Sequence, residues 1–215
     1  MNIPLSSTND ENKENYQNWF EDVYIRTNQA GGVPPWAYQE PHPELVDWME
    51  QERPHGAGKS ALVIGCGLGD DAEYLARCGF AVTAFDISKT AIALCRQRFP
   101  ESQVSYFVAD LFDLSETWIS GYDFVFESRT IQALPYEKHT HTIETIAQLV
   151  ADEGILLVVC FGRDPDETVG SIPWPVSQKE LATFRQFGFH ETNFKENILT
   201  GRRNFRIMYQ KTGRN

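Results

Sequence analysis

The chain has 215 residues, 41% of them hydrophobic, and its 30 acidic side chains against 19 Lys and Arg give a formal net charge of −11. That length fits one domain with a small extension. The acidic balance disfavours a nucleic-acid partner, which needs a basic stripe to displace counterions, and the one basic cluster, Gly201-Arg202-Arg203-Asn204-Phe205-Arg206, is too short to reverse the field.

Nothing in the chain resembles a targeting or membrane segment. No apolar run approaches the ~20 residues of a bilayer span, and no basic stretch leads into an apolar block at the start. Cys66, Cys78, Cys95 and Cys160 lack CxxC spacing and sit among apolar or small residues. Reduced, mostly buried thiols, no metal site and a cytoplasmic setting are expected.

In chain order, residues 1–13 are polar and of mixed charge, which predicts a disordered tail. Residues 14–59 read as a helical, lid-like segment. Trp19, Phe20, Val23 and Tyr24 share a helical face, a Gly31-Gly32-Val33-Pro34-Pro35-Trp36 turn follows, and Leu45, Val46, Trp48 and Met49 mark a second short helix. From residue 60 to 215 strand and helix signals alternate. Strands are expected at 61–65, 81–86, 104–108, 122–127 and 155–160, and helices at 70–78 and 88–99, the second capped by Ser88. A further helix carries Ile143, Ile146, Ala147 and Val150. Ser177-Gln178-Lys179-Glu180 is a capping box that opens another, ended by Gly188. Two last strands, near 189–195 and 204–211, suit an antiparallel hairpin at the sheet edge. The succession predicts an α/β fold, a Rossmann-like doubly wound and mostly parallel sheet of seven strands with helices on both faces.

In such a sheet ligands bind beyond the carboxyl ends of the strands, where the loop Gly65-Cys66-Gly67-Leu68-Gly69 lies. Its glycines let a ligand rest on bare backbone. Asp86 ends the next strand and can accept hydrogen bonds from vicinal ribose hydroxyls. Together they indicate an adenosine-containing cofactor, either a nicotinamide dinucleotide or S-adenosylmethionine. A dinucleotide site has a third glycine three positions after the second, freeing a helix start for pyrophosphate. Asp70 stands there, followed by Asp71, and two carboxylates repel a diphosphate but not a sulfonium and an ammonium. Asp110 closes the third strand and suits an adenine amino group, with Ile87 and Leu111 on either side of the ring.

The motifs GCGLG, FDIS and VADLF, in this order between residues 61 and 160, resemble a class I S-adenosylmethionine-dependent methyltransferase. The resemblance implies that cofactor, with S-adenosyl-L-homocysteine as product, and Gly65, Cys66, Gly67, Gly69, Asp86, Ile87, Asp110 and Leu111 as contacts. One position departs from the pattern: Val63 stands where most such enzymes carry an acid, so the contact to the cofactor's ammonium is open. The branch of thiopurine and thiol methyltransferases also lacks that acid, and the N-terminal Trp19-Phe20, Pro35-Trp36 and Pro41-His42-Pro43-Glu44-Leu45 are similar to it.

On this reading methyl transfer is an in-line displacement, and the protein positions and desolvates the reactants. A thiolate acceptor needs no general base, whereas a hydroxyl, an amine or an acidic carbon does. Glu127 ends the fourth strand and is assigned to the cofactor's methionine end. Arg129 suits either the methionine carboxylate or an anionic substrate. His139 and His141 are expected on the surface at a helix start, with His139 the nearest candidate base; Arg129 and His139 are thus the catalytic candidates. Trp36 is expected to cover the cofactor, with Trp19, Tyr24, Arg129 and Trp174 on the substrate side. A second lid piece is expected at 161–175. The leading expectation is a methyltransferase of a small molecule, a thiol among the acceptors. The alternatives are a methyltransferase of protein or RNA, a nicotinamide oxidoreductase, and a non-catalytic cofactor-binding protein.

Overall fold

A computed structural model describes residues 9–168 and 172–213, with side chains from residue 18 onward. Residues 1–8 of the expected tail and residues 169–171 of the second lid piece lie outside the described residues. The first helix, α1 (Asn9–Gln29), starts ahead of Tyr16. Next comes α2 (Pro43–Glu52), with Pro43 in its first turn and the His42 imidazole accepting the N–H of Glu44 as its cap.

The alternating part of the chain then builds β1 (Ser60–Ile64), α3 (Asp70–Arg77), β2 (Ala81–Asp86), α4 (Lys89–Arg98), β3 (Ser105–Val108), β4 (Tyr122–Ser128), α5 (His139–Leu149) and β5 (Val150–Arg163). It ends with β6 (Val176–Ser177), α6 (Gln178–Leu181), β7 (Phe189–Leu199) and β8 (Arg202–Lys211). The main sheet runs β3-β2-β1-β4-β5-β8-β7, parallel up to β5 and antiparallel in the β7–β8 hairpin, while β6 adds a short parallel pair to β5. This is the expected Rossmann-like architecture. The capping box at Ser177 and Glu180 is present, but only one turn of α-helix follows before the chain tightens to a 3₁₀ helix over Ala182–Phe187.

Strand side chains alternate between two cores, as a period of two requires. Leu62, Ile64, Val125 and Val158 face α5 and α6; Ala61, Val63, Phe124 and Phe126 face α2, α3 and α4. Central strands covered on both faces read as continuous apolar runs, which is why LVI and FVF were legible as strands. A third, smaller cluster joins α1 to the sheet: Tyr24 packs with Leu68 and Ala91, with Trp36 and Leu94 at its margin. Among the described residues no helix is long and apolar enough to cross a membrane.

The order β3-β2-β1-β4 brings the tips carrying Asp110, Asp86, the glycine loop and Glu127 into a row. The chain reverses its winding between β1 and β4, so the row lies at the crevice where such sheets bind ligands.

Candidate cofactor and acceptor site

The loop after β1 is shaped by left-handed backbone: φ is +59° at Gly65, +55° at Gly67 and +88° at Gly69. Side chains are also excluded by space. A Cβ on Gly65 would meet Thr130 Oγ1 at 2.6 Å, and one on Gly67 would meet the Tyr24 hydroxyl at 3.2 Å. Asp86 fastens this loop to β2: its Oδ2 accepts the Gly67 N–H at 2.9 Å and its Oδ1 accepts the Ser88 N–H at 2.9 Å. Burial pushes the Asp86 carboxyl up to about 6, and those N–H groups pull the other way. At β3, Asp110 Oδ1 accepts the Phe112 N–H at 3.0 Å; Leu111 is buried and Ile87 half-buried beside this tip.

Asp70 and Asp71 have separate fates. Asp70 is paired with Arg98 of α4 through two contacts of 2.7 and 2.8 Å, and so stabilises the helix pair instead of facing the crevice. Asp71 accepts the backbone N–H of His42 at 2.6 Å, and burial pushes it up to about 7. A carboxylate therefore does stand at the start of α3, where a dinucleotide would need room for phosphate.

The aromatic residues of α1 and the following turn cover the loop. Trp36 donates its indole N–H to the Tyr24 hydroxyl at 3.2 Å, and its ring lies 5.8 Å from Trp19 and 5.9 Å from Phe20. Tyr24 thus stands on the glycine loop, packed against Leu68 and Ala91. Burial and the nearby Asp86 carboxylate push its phenol well above the usual range. Sequence reasoning missed Glu21, one turn before Tyr24. Its carboxylate accepts the Ser88 hydroxyl at 2.5 Å and the Thr90 hydroxyl at 2.7 Å, seating α1 on the start of α4. The signal was its three-residue spacing from Tyr24 on the aromatic face.

At β4, Glu127 is fully buried; one oxygen accepts the N–H groups of Thr130 and Ile131 at 2.6 and 3.1 Å, and the other has no partner among the described residues. Burial pushes this carboxyl up to about 7. Arg129 has φ +67°, a strained backbone for a residue with a Cβ that costs on the order of 1–2 kcal/mol. Its guanidinium lies over the rings of Tyr38 and Phe161, 5.1 and 4.7 Å away, and donates to the Tyr38 hydroxyl at 2.9 Å.

His139 corrects an expectation. It is buried, not on the surface, with Nδ1 2.8 Å from Glu180 and Nε2 3.1 Å from the Leu134 carbonyl. Both nitrogens are engaged, so the ring braces α5 against α6 and has no nitrogen free for a substrate proton. His141 is exposed, as expected. Trp174 is buried, its backbone N–H donating to the Gln132 carbonyl at 2.7 Å, which ties the end of the second lid piece to the turn after β4.

The glycine loop, the carboxylate at the β2 tip and the further carboxylate at the start of α3 fit S-adenosylmethionine better than a diphosphate. The fold and this site define a class I S-adenosylmethionine-dependent methyltransferase. The chain belongs to the thiopurine S-methyltransferase family, whose model matches residues 26–206. A 2-heptyl-1-hydroxyquinolin-4(1H)-one methyltransferase of Mycobacteroides abscessus is 30% identical over 176 residues, 78% of this chain and 74% of its own length. In fold the chain is similar to 1,6-didemethyltoxoflavin-N1-methyltransferase of Burkholderia thailandensis, solved with its substrate and S-adenosylhomocysteine, at a TM-score of 0.76, 17% identity and 99% and 93% coverage. A second solved structure, from work on the conversion of a disulfide bond into a thioacetal group in echinomycin biosynthesis, has a TM-score of 0.74 at 21% identity, covering 91% of each chain.

Proposed function

We propose that the chain methylates a small-molecule acceptor whose reacting atom is soft or already ionised at neutral pH, a thiol or an acidic heteroaromatic hydroxyl. The observation that carries this reading is that His139, the candidate base, has both nitrogens engaged within the protein. S-Adenosylmethionine supplies a methyl group already activated by the sulfonium. The protein's share is then to orient the acceptor and exclude water.

Asp86 is assigned to the ribose hydroxyls, Asp110 to the adenine amino group, and Ile87 and Leu111 to the faces of the ring. Gly65, Cys66, Gly67 and Gly69 form the floor, and Trp36 with Tyr24 and Trp19 the cover. Tyr38, Phe161 and Trp174 are assigned as the aromatic wall on the acceptor side, near the β4 and β5 tips. A covered crevice and the net charge of −11 support a small acceptor over RNA or a protein. Four free thiols support a cytoplasmic setting.

Two relatives support the acceptor classes. One is named for a hydroxyquinolone, and a structural neighbour comes from work on the conversion of a disulfide to a thioacetal. The test is methyl transfer from S-adenosylmethionine to a panel of aromatic thiols, heteroaromatic hydroxyls and aliphatic amines, read by mass spectrometry. Methylated thiol or hydroxyl is expected; turnover confined to the amines contradicts the reading.

A further inference from the structure

His42 joins two charged groups from distant parts of the chain. Its backbone N–H is held by Asp71 of α3, and its imidazole faces Arg129 at the β4 tip, with Nε2 3.4 Å from the guanidinium Nη2. The tautomer follows from the cap. Nδ1 accepts the Glu44 N–H at 3.2 Å, so it carries no proton, and a neutral ring must carry its proton on Nε2. The ring is neutral because burial and the Arg129 charge hold it down to about 3. Two N–H donors, from His42 and Arg129, therefore face each other across 3.4 Å without an acceptor between them. Arg129 Nε is also buried with no partner among the described residues, and no carboxylate there forms an ion pair with this guanidinium.

Two facing donors without an acceptor suit a carboxylate, which can take a hydrogen bond from each. Asp71 lies just beyond, near enough that the Arg129 charge lowers its carboxyl. We propose that Arg129 and His42 Nε2 hold the carboxylate, and Asp71 the ammonium, of the amino-acid end of S-adenosylmethionine, so that Asp71 takes the role left open by Val63. This rests on the cofactor reading above. The row of strand tips gives the direction: adenosine lies over Asp110 and Asp86, and the amino-acid end crosses the glycine loop toward α3 and β4. Of the two acids near that end, Glu127 is sealed with zero exposure, whereas Asp71 is only half-buried.

The probes are S-adenosylhomocysteine, its decarboxylated analogue and 5′-methylthioadenosine, which lacks the amino-acid end, titrated by calorimetry against the full chain. The wild type is expected to bind S-adenosylhomocysteine tightest. Arg129→Gln and Asp71→Asn should each weaken it about tenfold or more and leave methylthioadenosine within about twofold. Against the decarboxylated analogue, Asp71→Asn should still lose affinity and Arg129→Gln should not.

Equal loss of all three ligands would reduce the pair to a structural role and overturn the proposal. So would unchanged S-adenosylhomocysteine affinity with a raised KM for the acceptor, which would place the clamp on the substrate. Loss confined to Glu127→Gln would move the ammonium to the other acid. A wild type that binds none of the three ligands would instead overturn the cofactor reading itself.

Discussion

The Gly67 N–H donates to Asp86 Oδ2 at 2.9 Å, so the carboxylate proposed for the ribose also fixes the loop proposed as the cofactor's floor. Floor and clasp are thereby one unit. Asp86→Asn keeps the shape but gives up one acceptor oxygen. S-Adenosylhomocysteine binding should weaken by about 1–3 kcal/mol, the cost of orphaning a buried donor. Calorimetry reads this directly, and an unchanged affinity would remove Asp86 from the site.

Glu21 ties the cover to the body of the protein. Burial works against its charge, but hydrogen bonds from Ser88 and Thr90 carry its carboxyl below the usual value. Glu21→Ala should free α1 and expose the Tyr24–Trp36 pair. Proteolysis within 18–36 should speed up, and stability should fall by about 1 kcal/mol, as for loss of a helix cap. If digestion patterns of the two proteins coincide, α1 is held by its aromatic contacts alone.

His139→Ala removes the donor to Glu180 Oε1 and to the Leu134 carbonyl, while Arg163 and Ser177 still hold Glu180 Oε2. Thermal unfolding should show a loss of about 2–4 kcal/mol, while the folded fraction turns over with an unaltered pH profile. A protein of normal stability that has lost turnover would instead restore His139 as a base.

Two carboxyls set a pH dependence of opposite sign for stability and for binding. Asp86 is pushed up to about 6 and Asp71 to about 7, from an ordinary 3.8. Because the folded values lie above the unfolded one, the stability these groups contribute is full below 3.8 and is lost as pH rises through about 6 and then about 7. Ribose hydroxyls and an ammonium prefer the carboxylates, so S-adenosylhomocysteine affinity should rise over that same window. Binding between those two pH values should release protons, measured by calorimetry in buffers of different ionisation enthalpy; proton uptake would reverse the assignment.

Local chemistry alone carried much of the architecture. Apolar runs flanked by turns marked the parallel strands, the Ser88 and Ser177 caps marked helix starts, and the glycines marked the left-handed turn after β1, because each signal acts within a few neighbouring residues. The single turn of α6 was not legible, since tertiary packing tightened the chain where its capping box promised a longer helix. Only the tertiary structure decided which charges meet. His139 and Glu180 are 41 residues apart, His42 and Asp71 29, and His42 and Arg129 87. No local spacing encodes such pairs; they arise when strand order stacks separate tips side by side, and burial then makes each partner a necessity.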